Sequence, residues 1–263
     1  MKNCILAIAL AAALVACATT KSSTGRTQYV GAVSQQQLNQ LGEQAFTEAR
    51  QKGPISQDAR QNAYVRCVVS ALVRELPESQ RAIAWETAVF AQDEPNAFAL
   101  PGGKVGVNTG IFSVARNQDQ LAAVLAHEIG HVVDNHHNER ITRQMGASGA
   151  VQLLGVLAGD YGQLATQGGS LLAQTGFLLP GSRAQETEAD VVGQRLMAAA
   201  GFDPRAAVAL WQNMISAGGS RPPQWLSTHP DPQSRIGELN TRAAQLVPVY
   251  EQARAAGRRP ACG

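Results

Sequence analysis

Asp119-Gln-Leu-Ala-Ala-Val-Leu-Ala-His127-Glu128-Ile129-Gly130-His131-Val-Val-Asp134 decides how this chain is built. Apolar residues at Leu121, Val124, Leu125, Ile129 and Val132 recur with the spacing of a largely buried helix. On that helix His127 and His131 are four residues apart, so about 40° separates them around the axis and both imidazoles reach one ion. Two neutral imidazoles on one face are half of a zinc site. Glu128 stands about 100° away, badly placed as a third ligand but close enough to act on a water at the metal. Its natural role is general base, because zinc lowers the pKa of bound water to about 7 and a neighbouring carboxylate can take the proton. A buried helix sometimes keeps one histidine for packing, but two a turn apart with a carboxylate between them point to a metal.

A zinc site of this kind needs a third protein ligand and a position left for water. Ser182-Arg-Ala-Gln-Glu186-Thr-Glu188-Ala-Asp190-Val-Val-Gly-Gln-Arg-Leu-Met197 reads as a helix that starts at Ser182 with acidic residues in its first turns. Glu186 and Glu188 lie about 200° apart and cannot share a metal, whereas Asp190, four residues after Glu186, shares its face. Glu186 is therefore the expected ligand, with Asp190 behind it to hold a histidine N–H. Glu188 is expected in a surface or cap interaction. His136 and His137, continued on the wheel of the first helix, fall about 140° and 240° from His131 and read as ordinary polar residues at a helix end.

Around these helices the chain reads as one α+β domain, mainly helical, from residue 34 to 263. Ser34 caps a helix ended by Gly53-Pro54, and Asp58 starts another that runs to Leu76-Pro77. Ala82 to Ala91 alternates as a strand, and Asn96-Ala97-Phe98-Ala99-Leu100-Pro-Gly-Gly-Lys-Val-Gly-Val-Asn108 reads as two strands joined at Pro101-Gly102-Gly103. An edge strand at Asn96, Ala97, Phe98 and Ala99 would accept an extended peptide by backbone pairing; a purely structural hairpin is the alternative. Gln144 to Ser182 carries one charge, Asp160, and many glycines; it reads as two small-residue helices.

The N-terminus reads as a targeting segment. Lys2 precedes an apolar run from Ile5 to Val15, the length of a signal-peptide core and too short for a bilayer span. Leu14-Val15-Ala16-Cys17 resembles the bacterial lipobox, so residues 1–16 are expected to be a lipoprotein signal peptide and Cys17 a lipid anchor to the membrane. Ala18 rather than Asp after the cysteine favours the outer membrane, facing the periplasm. Residues 17–33, with polar Lys21 to Gly31, read as a tether. Cys4 leaves with the signal, so Cys67 and Cys262 remain as a disulfide pair in an oxidising compartment, with unlinked thiols as the alternative. The formal net charge is +2 and basic residues are scattered, so no nucleic-acid surface is expected.

His127-Glu-Ile-Gly-His131, Glu186-Thr-Glu-Ala-Asp190, Asn96-Ala-Phe-Ala-Leu-Pro-Gly-Gly103 and Ser227-Thr-His229-Pro-Asp-Pro-Gln-Ser-Arg235 together resemble the HtpX-like and CAAX-prenyl-protease-type zinc metallopeptidases, closest to their exported LoiP- and BepA-like branch. The resemblance implies a zincin-type fold and one Zn²⁺ on His127, His131 and Glu186, with Glu128 as catalytic base. It makes His229 a catalytic-site residue, as a removable plug or a transition-state contact; without the resemblance, a histidine in a stiff loop reads as surface decoration. It places Asp190 behind the ligands and gives Arg235 the task of holding that loop or polarising substrate. The expected activity is endopeptidase cleavage of misfolded or immature cell-envelope polypeptides, with an envelope-assembly or protease partner. The rival is an envelope chaperone, assembly factor or protease regulator whose zinc is structural and closed by His229.

Overall fold

The computed structural model describes residues 18–144, 181–217, 225, 228, 229 and 232–263. The signal-peptide reading, Cys17 and the expected helix pair within 145–180 lie outside them. Helices dominate: α1 Gln35–Lys52, α2 Ala59–Val73, a short α3 Glu78–Arg81, α4 Gln118–Val133, α5 His136–Gln144, α6 Arg183–Ala200, α7 Ala206–Ala217 and α8 Pro232–Ala255. The starts follow the sequence signals. Ser34 and Ser182 each form a capping box with the glutamine three residues on, and Asp58 accepts from the N–H groups of Arg60 and Gln61. Among the described residues no helix is long and apolar enough to cross a membrane.

A three-stranded sheet supports α4. Strands β3 Glu86–Phe90, β4 Ala97–Leu100 and β5 Lys104–Asn108 lie in the order β3-β5-β4. β3 runs parallel to β5, with Val89 opposite Val107, and β4 runs antiparallel to it, with Ala97 opposite the same Val107. Both faces are buried. Val89, Ala97, Ala99, Val105 and Val107 join the main core with α2 and α4, while Ala88, Phe90 and Leu100 pack with Leu38, Leu41, Ala45 and Phe46 of α1. The 101–103 turn is where the sequence puts it, with left-handed Gly102 and Gly103.

α4 and α6 cross closely because glycines stand at the contact. A Cβ on Gly130 would meet the Ala189 carbonyl oxygen at 2.9 Å, and one on Gly193 would meet the His127 backbone nitrogen at 3.0 Å. This approach carries Glu186 to the two α4 histidines, 55 or more residues earlier in the chain.

Two segments differ from the sequence reading. Lys21 to Gly31 is not a free tether: β1 Ala18–Lys21 pairs with β2 Thr27–Val30 as a hairpin packed on α5. Gln28 Nε2 donates to the Asp134 carbonyl at 2.7 Å, Ser23 N and Oγ donate to the Asp134 carboxylate at 3.1 and 2.6 Å, and Gly31 N donates to Asn138 Oδ1 at 3.0 Å. Short strands flanking Ser22-Ser-Thr-Gly25, with Gly25 left-handed at φ 85°, are a local hairpin signal that the polar composition masked.

The other is the path after α4. The helix stops at Val133, Asp134 caps it, and Asn135 takes a left-handed φ of 53°. Asparagine tolerates that conformation, and the chain turns back there before α5 begins.

At the opposite terminus Cys67 of α2 and Cys262 form a disulfide, with Cα atoms 5.5 Å apart. The tail also reaches the first turn of α4. Gln118 Nε2 donates to the Pro260 carbonyl and Gln118 Oε1 accepts from Cys262 N, each at 2.9 Å.

Candidate metal centre

Helix α4 presents His127 and His131 on one side, and α6 presents Glu186 opposite. The two Nε2 atoms are 3.2 Å apart; Glu186 Oε2 is 3.4 Å from His127 Nε2 and Glu186 Oε1 3.5 Å from His131 Nε2. Ligand atoms about 2.0–2.2 Å from a tetrahedral Zn²⁺ stand about 3.3–3.6 Å from each other, and the separations here, with one Glu186 oxygen near each histidine, are close to that size. All three residues are buried, and Glu186 Oε1 has no hydrogen-bond partner. A solvent-shielded carboxylate oxygen without a partner costs free energy unless a cation sits beside it. The donor set, two imidazole nitrogens and a carboxylate, fits a zinc ion.

The residues behind the ligands fix their tautomers. Asp190 Oδ1 lies 2.9 Å from His127 Nδ1, so Nδ1–H donates there and Nε2 turns to the centre. Arg235 grips Asp190 with two bonds, Nε to Oδ2 and Nη2 to Oδ1, each 2.7 Å, and gives Nη1 to Glu186 Oε2 at 2.9 Å. It is buried, with its guanidinium 4.0 Å above the Trp211 ring. Arg235 thus places these donors on the carboxylates around the candidate ligands.

Burial alone would raise the Glu186 carboxyl, but His229, His127 and Arg235 outweigh it and hold its pKa at about 2. Burial pushes the His127 imidazolium down, yet Asp190 and Glu186 raise it to about 9. His131 is held well below the usual histidine range by burial and by the charge of His127.

His229 joins the centre. His127, His131, Glu186 and His229 each offer a ligand atom within 4.8 Å of the others. Its Nδ1–H donates to the Trp225 carbonyl at 3.0 Å, which leaves Nε2 as the lone-pair nitrogen, 3.3 Å from Glu128 Oε1. Trp225 stacks on His229 at 4.7 Å and donates its indole N–H to the same Glu128 oxygen at 2.9 Å. Sequence reasoning missed Trp225: nothing local ties residue 225 to residue 128.

His136, His137 and Glu188 contradict their sequence readings. The turn at Asn135 breaks the helical wheel on which both histidines were placed. Both are buried, with His136 Nδ1 2.8 Å from His131 Nδ1 and His137 Nε2 donating to the Ala99 carbonyl of β4 at 3.0 Å. Glu188 does face away from the ligands, but that side is covered rather than exposed. It accepts from Ser22 Oγ, Thr24 Oγ1 and Arg26 of the N-terminal hairpin and bonds His136 Nε2 at 3.0 Å. The β4 edge is likewise closed: Ala97 and Ala99 are 2 % and 1 % exposed, while Asn96 and Phe98 are half-buried.

Comparison with known proteins agrees with this constellation. The chain is 43 % identical over 159 residues to the mitochondrial metalloendopeptidase OMA1 of Schizosaccharomyces pombe, covering 60 % of this chain and 46 % of that protein. It is 29 % identical over 241 residues to the beta-barrel assembly-enhancing protease of Escherichia coli, covering 88 % and 48 % respectively. A putative beta-barrel assembly-enhancing protease of Vibrio cholerae is 35 % identical over 166 residues. The chain spans about half the length of the first two relatives. The sequence pattern of Peptidase family M48 matches residues 59–243, which contain both metal-facing helices, and the chain belongs to that family.

Proposed function

We propose that this protein is a zinc-dependent endopeptidase. The observation that carries the reading is the trio His127, His131 and Glu186 at 3.2–3.5 Å separations, with a buried carboxylate oxygen that has no hydrogen bond and with Glu128 next to His127. These three residues would hold the Zn²⁺, which when bound supplies Lewis-acid polarisation of the scissile carbonyl and acidifies water. Glu128 takes the proton of the attacking water and delivers it to the departing amine nitrogen. Asp190 and Arg235 keep the His127 ring and the Glu186 carboxylate in place. Trp225 donates to Glu128 Oε1, and His229 Nε2 stands 3.3 Å from the same oxygen. That crowding of Glu128 supports His229 as a plug that must withdraw before Glu128 can serve a water.

Substrates would be extended polypeptides, paired by their backbone with β4 at Asn96, Ala97, Phe98 and Ala99 once the cover over that edge is displaced. The sequence features before Ala18 support a cell-envelope lipoprotein anchored through Cys17 at the outer membrane and acting on misfolded or immature envelope proteins, with an assembly or protease partner. Cys17→Ser should then release the protein from the membrane fraction; unchanged fractionation rejects the anchor.

The test of the activity is Glu128→Gln, measured together for zinc content and casein cleavage. Retained zinc with at least a hundredfold loss of cleavage is expected; unchanged cleavage rejects the assignment. A second reading, an envelope chaperone or regulator with a structural zinc, draws on His229 as a fourth ligand. His229→Ala separates the two. A plug predicts faster basal cleavage, a transition-state contact slower cleavage, and a structural fourth ligand lost zinc with no cleavage in either protein.

A further inference from the structure

The catalytic reading leaves a second buried group unused, Asp134, His136 and Glu188, directly behind His131. Its carboxylates are occupied by protein donors. Glu188 Oε1 accepts from Ser22 Oγ at 2.5 Å, Thr24 Oγ1 at 2.9 Å and Arg26 Nε at 2.8 Å; Oε2 takes Arg26 Nη2 at 2.7 Å and faces His136 Nε2 at 3.0 Å. The Asp134 oxygens take Ser23 N and Oγ. Groups so satisfied have little to give a second cation.

What they form instead is a directed chain of hydrogen bonds. His131 Nε2 faces His127 and Glu186, so it is the ligating nitrogen and the ring proton sits on Nδ1. That N–H donates to His136 Nδ1 at 2.8 Å. His136 then carries its own proton on Nε2 and donates it to Glu188 at 3.0 Å. Each ring uses one donor and one acceptor. The chain ends on a carboxylate locked by Arg26, which also forks onto Glu139 at 2.7 and 2.8 Å. Arg26 sits in the turn of the N-terminal hairpin.

The geometry points to His136 and Glu188 as positioning residues of the metal centre and to Arg26 as the latch that holds them, so that docking of the 22–26 turn sets how tightly the site grips its metal. This inference rests on the metal-centre reading above. Its physical basis is that the partner on a ligand histidine's second nitrogen fixes the ring and strengthens it as a donor, and that loss of such partners lowers metal affinity about 10–100-fold. Here that partner is another imidazole, whose polarisation depends on an ionised carboxylate supplied with its counter-charge from the far end of the chain.

The experiment measures zinc affinity of the protein by competition with a chromophoric chelator, the visible spectrum with Co²⁺ in place of zinc, and metal-free thermal melting. Glu188→Gln should weaken zinc about 10–100-fold and shift the Co²⁺ spectrum. Arg26→Ala should weaken it about tenfold, and the double variant should bind no worse than Glu188→Gln alone, because both act through one chain. Arg26→Lys, which keeps the charge and loses the fork, should fall between wild type and Arg26→Ala. The control is Asn138→Ala, which loses the Gly31 N–H and Val33 carbonyl contacts at the other end of the hairpin. It should lower metal-free melting yet leave zinc affinity within twofold and the Co²⁺ spectrum unmoved. Zinc affinity within twofold of wild type for both Glu188→Gln and Arg26→Ala, or fully additive losses, overturns the latch. Wild type that takes up no zinc overturns the metal-centre reading itself, and the latch with it.

Discussion

Arg235→Met removes a buried guanidinium that bonds directly to both Asp190 and Glu186. The methionine fills much of the volume, so charge is the main change. Asp190 and Glu186 are 4 % and 0 % exposed, and both are ionised at neutral pH because cationic neighbours hold their pKa values low. Removing one partner of a buried pair costs about 3–5 kcal/mol, since it strands the other charge. Loss of the cation–π contact with Trp211 adds about 1 kcal/mol. For a domain of this size about 1 kcal/mol corresponds to about 2–4 °C of melting temperature, so the metal-free variant should melt about 8–24 °C below wild type. Zinc supplies a positive charge beside Glu186, and with saturating zinc the difference should shrink to about half. Differential scanning fluorimetry of both proteins, with chelator and with zinc, reads this directly. A metal-free difference under 2 °C, or the same difference with and without zinc, refutes the assignment of Arg235 as the counter-charge of the ligand carboxylates.

Two further outcomes follow from the same geometry. In the metal-free protein the His127 imidazolium persists to about pH 9, so a proton competes with the metal for Nε2. Zinc affinity should rise about tenfold per pH unit from pH 6.5 and level off near 9. Because that folded pKa lies above the unfolded value, His127 stabilises the metal-free fold fully below pH 6.5 and the contribution is lost as pH rises through 9. Chelator competition across this range checks it, and a flat affinity contradicts it. Cys67→Ser with Cys262→Ser opens a cross-link spanning 195 residues, which should cost about 2–5 kcal/mol. Thermal melting with and without reductant reads that cost, and an unchanged midpoint rules out a stabilising disulfide.

The meeting of His127, His131 and Glu186 was legible because it depends on regular helix. Over residues 118–133 the 3.6-residue wheel holds, so His127 and His131 fall together; over 183–200 it holds again, so Glu186 and Glu188 fall apart as the sequence said. His136 and His137 were misplaced because one left-handed residue, Asn135, ended the wheel that carried them. Glu188 was misread for a different reason. Which side of a helix is solvent depends on what packs there, and the cover comes from Ser22, Thr24 and Arg26, more than 160 residues away. The pairing of Trp225 with Glu128 and the placing of β5 between β3 and β4 are non-local in the same sense. Turn and cap residues, by contrast, spoke for themselves at Ser34, Asp58, Gly102 and Ser182.

The helix that bears both histidines is clasped at its first turn by Pro260 and Cys262 and at its last by Ser23 and Gln28. A change at either clasp therefore acts on an end of α4 rather than on a passive appendage. Loss of the 260–262 contacts would unfasten Gln118 without touching any residue of the candidate metal centre. Reporters belong in exposed stretches well away from both clasps, where they leave the registration of the two imidazoles alone.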